Sequence, residues 1–288
     1  MDFRLYASEL FSEAQGLVAS RSRLDVQLSA IETDEIRMDV GFSEQTPVIT
    51  FSYGFSMTAY RLIRLALASA PLFSEIQKVD TLNSSELDAY LIEIIDFIKE
   101  GTQGGPHYDV DDRIAKLSQR LVRDADIFFI LHELAHIHIE QDKVGTMINM
   151  LTWGHGAAIP DLSNIREHEL LADILASIWF FFPFLKRAEE HYEKLKSMYP
   201  DHVGEIDISE MRERDAGIRL VAIESVFLVQ YVIEQVTKRE STHYVDFESR
   251  VLVNRNFLLQ TFGLKRSVFE PADVILGNMM RAIDRLTM

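Results

Sequence analysis

The stretch FFILHELAHIHIEQD, residues 128–142, sets three histidines and Glu133 inside an otherwise apolar run that lasts to Ile139, in a chain that has only nine histidines. His132 and His136 stand four positions apart. On a helix that spacing puts two side chains on one face, so both imidazoles can reach a single Zn²⁺, as the pattern H-E-x-x-H requires. Glu133 lies beside them. From the next position its carboxylate cannot join the two-histidine coordination, but it can hydrogen-bond a water on the metal and take its proton. His138 follows His136 by two positions, about 200° round a helix, and is expected to point away and pack structurally.

A catalytic zinc needs a third protein ligand, and REHELLADILASIWFF, residues 166–181, offers one on a second helical stretch. Glu169 and Asp173 share a face there, with Glu169 placed to ligate and Asp173 to accept the Nδ1 proton of a ligand histidine and fix its tautomer. Two carboxylates in so apolar a segment are costly without a partner. Glu167 and His168 are the rival ligands, but His168 points about 100° away from Glu169 and Glu167 has no same-face Asp one turn on.

Around these two stretches, helical spacing recurs over 57–70, 84–100, 111–142, 164–187, 208–238, 245–262 and 271–287, and 218–236 is apolar nearly all round, as a central core helix would be. Residues 1–19 form an amphipathic helix. RLDVQLSAIE, EIRMDVGF and TPVITFSYGF alternate apolar with polar residues and predict three strands in an antiparallel meander over 23–55. The fold class expected is α+β, predominantly α-helical, with a small antiparallel N-terminal sheet. Such a sheet cannot bury its face alone, so residues 1–288 are read as one domain, with helix and sheet over 1–55 and a helical part over 56–288. The Gly- and Pro-rich stretches 101–110 and 144–162 read as loops. The second joins the two ligand-bearing helices, and its Met147, Met150, Trp153 and His155 suit either a mobile lid or a buried connector. Glu140, one turn beyond His136, suits either support of the site or plain solvation.

Composition narrows the partners. With 29 Lys and Arg against 45 Asp and Glu, the net charge of −16 disfavours nucleic acid and anionic membrane surfaces. Without cysteine, any metal must be held by His, Asp and Glu. The N-terminus MDFRLYASELFSEAQ is acidic where a signal peptide is basic. The uncharged runs 144–160 and 174–185 are broken by glycines or by Pro183, so no membrane span is expected and the chain is read as cytoplasmic.

H-E-x-x-H followed by E-x-x-A-D on a later helix resembles the glutamate-zincin metallopeptidases; here the parts are HELAH and ELLAD, with Glu169 standing 33 positions after His136. STHYVDFESRV, residues 241–251, is similar to the S-T-H-P…E-R segment of several of these families, with Tyr244 in place of the proline and one extra residue before Arg250. The overall layout is most similar to the Lit-type phage-exclusion proteases, with ImmA/IrrE-type peptidases next. The resemblance implies a zincin-type helical core and a soluble zinc endopeptidase that cleaves a specific intracellular protein, in phage defence or stress response. It also implies His243 at the oxyanion and Arg250 in support of the site. The competing expectations are a zinc-binding sensor without proteolysis and a repressor-cleaving regulatory peptidase. TPVITFSYGF is the candidate edge strand for an extended substrate. Oligomeric state is not legible.

Overall fold

From Ala125 to Ile139 every residue except His136 is buried, so the helix that carries the two histidines runs through the centre of the molecule rather than along its surface. The computed structural model describes residues 2–18, 25–43, 46–70, 82–100, 110–140, 165–198, 208–237 and 245–287. Its elements are α1 (Phe3–Leu17), β1 (Gln27–Ile31), β2 (Met38–Ser43), β3 (Thr46–Ser52), α2 (Tyr53–Ser69), α3 (Ser84–Glu100) and α4 (Asp112–Glu140). There follow α5 (Ile165–Met198), α6 (Ile208–Thr237), α7 (Phe247–Phe262), a 3₁₀ turn (Arg266–Phe269) and α8 (Glu270–Thr287). The fold is α+β and mostly helix. α4 packs on α1, α2, α5, α6 and the strands β2 and β3. α6 is the second core helix, buried without a break from Leu220 to Val229.

Local chemistry sets the helix ends. Asp2 accepts the Arg4 amide at 2.9 Å, Asp246 accepts the Ser249 amide at 2.8 Å, and Asn83 and Glu86 cap α3 reciprocally. Gly263, at φ 61°, closes α7 in the left-handed conformation. α5 runs 11 residues past the predicted end at 187. Pro183 removes only one backbone donor there, and KRAEEHYEKLKSM is rich in good helix formers.

The antiparallel meander is corrected. The sheet is mixed, in the order β1-β3-β2: β2 pairs antiparallel with β3, but β1 pairs parallel with β3, with Gln27 opposite Val48 and Ile31 opposite Ser52. The six residues 32–37 cross the end of β3 to carry the chain from one sheet edge to the other. Gly54 allows this crossing, because a Cβ there would stand 2.3 Å from the Asp34 carbonyl oxygen. The Gly54 amide also donates to the Thr33 carbonyl at 2.8 Å, and the Arg37 amide donates to Ser52 Oγ at 2.8 Å. TPVITFSYGF is therefore the central strand and offers no edge; β2 is an edge strand instead. The buried face of the sheet meets α1 through Phe51, whose ring lies 5.4 Å from Phe3; just past β3, Phe55 in the first turn of α2 stands 4.5 Å from Phe129 on α4.

By length and composition alone His168–Lys186 and Arg212–Val236 are apolar enough to cross a bilayer, and more than half of each is buried inside this fold.

Candidate metal centre

Four helices meet around α4 in successive layers. The innermost is aromatic: Phe128 of α4 stands 6.1 Å from Phe180 of α5 and 6.0 Å from Phe227 of α6, ring to ring. One turn further along α4 is His132, and one turn beyond that is His136. α5 runs past them the opposite way, presenting Asp173 and then Glu169.

The three predicted ligands converge. His132 Nε2 and His136 Nε2 are 3.0 Å apart, Glu169 Oε1 is 3.3 Å from His136 Nε2, and Glu169 Oε2 is 3.4 Å from His132 Nε2. Ligand atoms held at about 2.0–2.1 Å round a tetrahedral zinc lie about 3.3 Å from one another, so this triangle has the dimensions of three corners of such a site. Glu169 Oε2 is buried and accepts no hydrogen bond. Lone-pair donors brought this close repel one another unless a cation sits among them. His132, His136 and Glu169 form a group that can hold a metal ion. The His132 side chain is 3% exposed, against 19% for His136 and 15% for Glu169, so the centre opens on the outer side.

Behind the ligands lies a buried relay. His132 Nδ1 is 2.9 Å from Asp173 Oδ1, although off the line of a straight hydrogen bond. Arg250 of α7 grips Asp173 with both edges of its fork, Nε donating to Oδ2 at 2.7 Å and Nη2 to Oδ1 at 2.5 Å. Its remaining Nη1 donates to Gln230 Oε1 of α6, and the guanidinium lies 4.5 Å over the Phe227 ring. One turn inward, Ser177 of α5 and Asn254 of α7 repeat the bridge: Asn254 Nδ2 donates to Ser177 Oγ at 2.9 Å.

The electrostatics follow from these partners. Burial works against charge on His132, but Asp173 and Glu169 outweigh it and carry its pKa up to about 10. Burial likewise opposes charge on Glu169 and Asp173; the two histidines hold Glu169, and Arg250 with His132 holds Asp173, below the usual carboxylate range. A positive charge is drawn to this spot, whether a proton or an ion. Glu133 behaves differently. It is 8% exposed, and burial pushes its pKa up against the pull of His132 and His136. Among the described residues no hydrogen bond or ion pair ties it, and Asp39 of β2 is within its electrostatic reach.

Of the rival ligands, His168 does not join the cluster, and the side chain of Glu167 lies outside the described residues. His138 is buried against Trp179, with ring centroids 5.1 Å apart, and Glu140 is exposed. His243 and the loop 144–160 lie outside the described residues. Gln230, Ser177 and Asn254 were not foreseen. The available signals were a polar residue in the middle of the apolar run VFLVQYVI, and a spacing of four from Asp173 to Ser177 and from Arg250 to Asn254.

Comparison of the chain with protein-family models, with curated proteins and with solved structures found no match.

Proposed function

We propose that the chain is a zinc-dependent endopeptidase acting on a protein or peptide substrate. The observation that carries this reading is the meeting of an outward-opening three-donor cluster with a buried, untied carboxylate at the adjacent position, Glu133. Two imidazoles and one carboxylate suit zinc, and three protein ligands, the number found among the described residues, are the mark of catalytic rather than structural zinc sites. Bound zinc supplies Lewis acidity, bringing the pKa of water toward about 7 and polarising a carbonyl.

The side chains do the rest. Glu133 takes the proton of the attacking water on its carboxylate and passes it to the departing amine; a pKa raised by burial brings it nearer the working pH. Asp173, fixed by Arg250, holds the Nδ1 side of His132 and leaves Nε2 free to ligate. An extended substrate has an edge to join in β2, whose outer side is unpaired among the described residues and which packs against α4 with Asp39 within electrostatic reach of Glu133. β3, paired on both sides, has none to offer. His243 as oxyanion donor and a specific intracellular substrate rest on the sequence resemblance; a cytoplasmic location rests on the acidic N-terminus and the interrupted apolar runs together with that resemblance. The net charge of −16 favours neither nucleic acid nor an anionic membrane as partner.

Metal analysis of the purified chain, with Glu133→Gln beside the wild type, tests the proposal. The variant is expected to keep one zinc and to lose cleavage by about 10²–10⁴-fold, the usual share of a general base. Cleavage is read as the disappearance of a single protein from a host lysate. Equal cleavage by both proteins overturns the mechanism. Stoichiometric zinc with no cleavage by either leaves a binding or sensing protein.

A further inference from the structure

We infer that Gln230 is a positioning residue of the metal centre: it holds Arg250, and through Arg250 it aligns Asp173 and His132. The inference rests on the reading of His132, His136 and Glu169 as metal ligands.

The reasoning starts from Arg250, which is 3% exposed and must place its guanidinium donors inside the protein. Asp173 takes Nε and Nη2, and Gln230 Oε1 takes Nη1. The face of the guanidinium rests on Phe227, which stands three positions before Gln230 on α6. One helix therefore supplies both the wall and the acceptor that fix the angle of the fork. A fixed acceptor for Nη1 matters here. Arg250 also feels the charges of Glu169 and Glu234. Without Gln230 Oε1, the freed Nη1 turns toward those carboxylates. Any share of Arg250 that Glu169 takes is lost from Asp173 and competes with the metal for its third ligand. Gln230 keeps the cation on Asp173 and off Glu169.

The test uses the full chain and Zn²⁺ itself, titrated against a chromophoric chelator, with thermal unfolding of the metal-free protein measured in parallel. Gln230→Met keeps the size and removes the acceptor; it is expected to weaken zinc binding by about tenfold, the low end for groups that orient metal ligands. Gln230→Asn, a gentler change should the first not fold, withdraws the acceptor by one methylene and is expected to weaken binding in the same direction. Gln230→Glu restores an acceptor at full reach and is expected to recover binding to within about threefold of wild type. Asn254→Leu serves as the structural control, since it breaks the α5–α7 bridge one turn inward; it lowers the unfolding temperature and leaves zinc affinity unchanged. The inference is overturned if Gln230→Met and Gln230→Asn bind zinc like the wild type, or if Asn254→Leu weakens binding as much as they do. Wild-type chain that binds no zinc removes the metal-centre reading itself, a separate and distinguishable failure.

Discussion

Asp126 and Asp173 are two buried aspartates on core helices, 0% and 1% exposed, and the fold treats them in opposite ways. Asp173 meets a guanidinium and an imidazole, and its carboxyl is held below the usual range in spite of its burial. Asp126 meets only hydroxyls: Tyr6 Oη donates to its Oδ2 at 2.8 Å and Ser56 Oγ donates at 2.7 Å, while Oδ1 has no hydrogen-bond partner. Burial pushes its pKa up to about 7, against the pull of those two donors. Both are removed from water; what differs is whether a counter-charge was buried with them. At the candidate metal centre the charge is retained because Arg250 and His132 are buried against it. At the junction of α1, α2 and α4 a carboxyl able to become neutral is enough to tie three helices.

The largest expected effects fall on the charged member. Asp173→Ala leaves Arg250 buried without its carboxylate, which costs roughly 3–5 kcal/mol of stability. It also removes the group that holds His132, and zinc affinity should fall about 10–100-fold. Asp126→Asn keeps an oxygen acceptor for Tyr6 and Ser56 and should change stability at neutral pH by no more than about 1 kcal/mol. Denaturant unfolding and chelator competition on the two variants check the contrast. Equal losses from both would mean that Asp126 is ionised and paired after all.

The pH dependence has opposite signs at the two sites. The folded pKa of Asp126 lies above its unfolded value of 3.8, so between there and about 7 the native protein keeps a proton that the unfolded chain releases. Stability therefore falls as pH rises through that window, by at most about 1.4 kcal/mol per unit, and levels off above it. Asp173, with its folded pKa depressed, contributes stability that is present above the unfolded value and is lost as pH falls below it. Unfolding free energies of wild type and Asp126→Asn from pH 4 to 8 isolate the first of these. Their difference should change with a single sign across the window, and parallel curves would refute the assignment.

The clustered donors were legible in the sequence because a helix fixes their relation locally. Four residues separate His132 from His136 and Glu169 from Asp173, and no tertiary knowledge is needed to place each pair on one face. The helices themselves were legible from their period. What escaped is non-local. That β3 enters between β1 and β2 depends on the crossing of 32–37 over Gly54, and the alternation in each strand is the same whether the sheet is a meander or mixed. Gln230 stands alone among apolar neighbours and becomes a partner only when α7 brings Arg250 to it. The spacing of four from Asp173 to Ser177 and from Arg250 to Asn254 places each pair on one face, but that Ser177 and Asn254 meet follows only from the docking of two distant helices. Arg250 was found by resemblance, not by spacing, since its partner Asp173 lies 77 residues away.

The finest distinction between the two aspartates is carried by one hydroxyl. Tyr6→Phe keeps the ring that packs 6.4 Å from Phe3 and removes one of the two donors on Asp126. Burial, with the charge of Asp126 beside it, pushes the Tyr6 phenol up, so the native residue remains a donor throughout the pH window of interest. Losing it should cost about 1 kcal/mol. It should also move the Asp126 transition to higher pH, because a donor that favours the charged form is gone. Zinc affinity should not change: Asp126 precedes Glu133 by seven residues on the same face of α4 and touches none of the three ligands. Chelator competition on Tyr6→Phe settles that point. Weakened binding would show that Asp126 on α4 and Asp173 on α5 are coupled through α4, which also carries His132, and that the charge kept on one depends on the proton kept on the other.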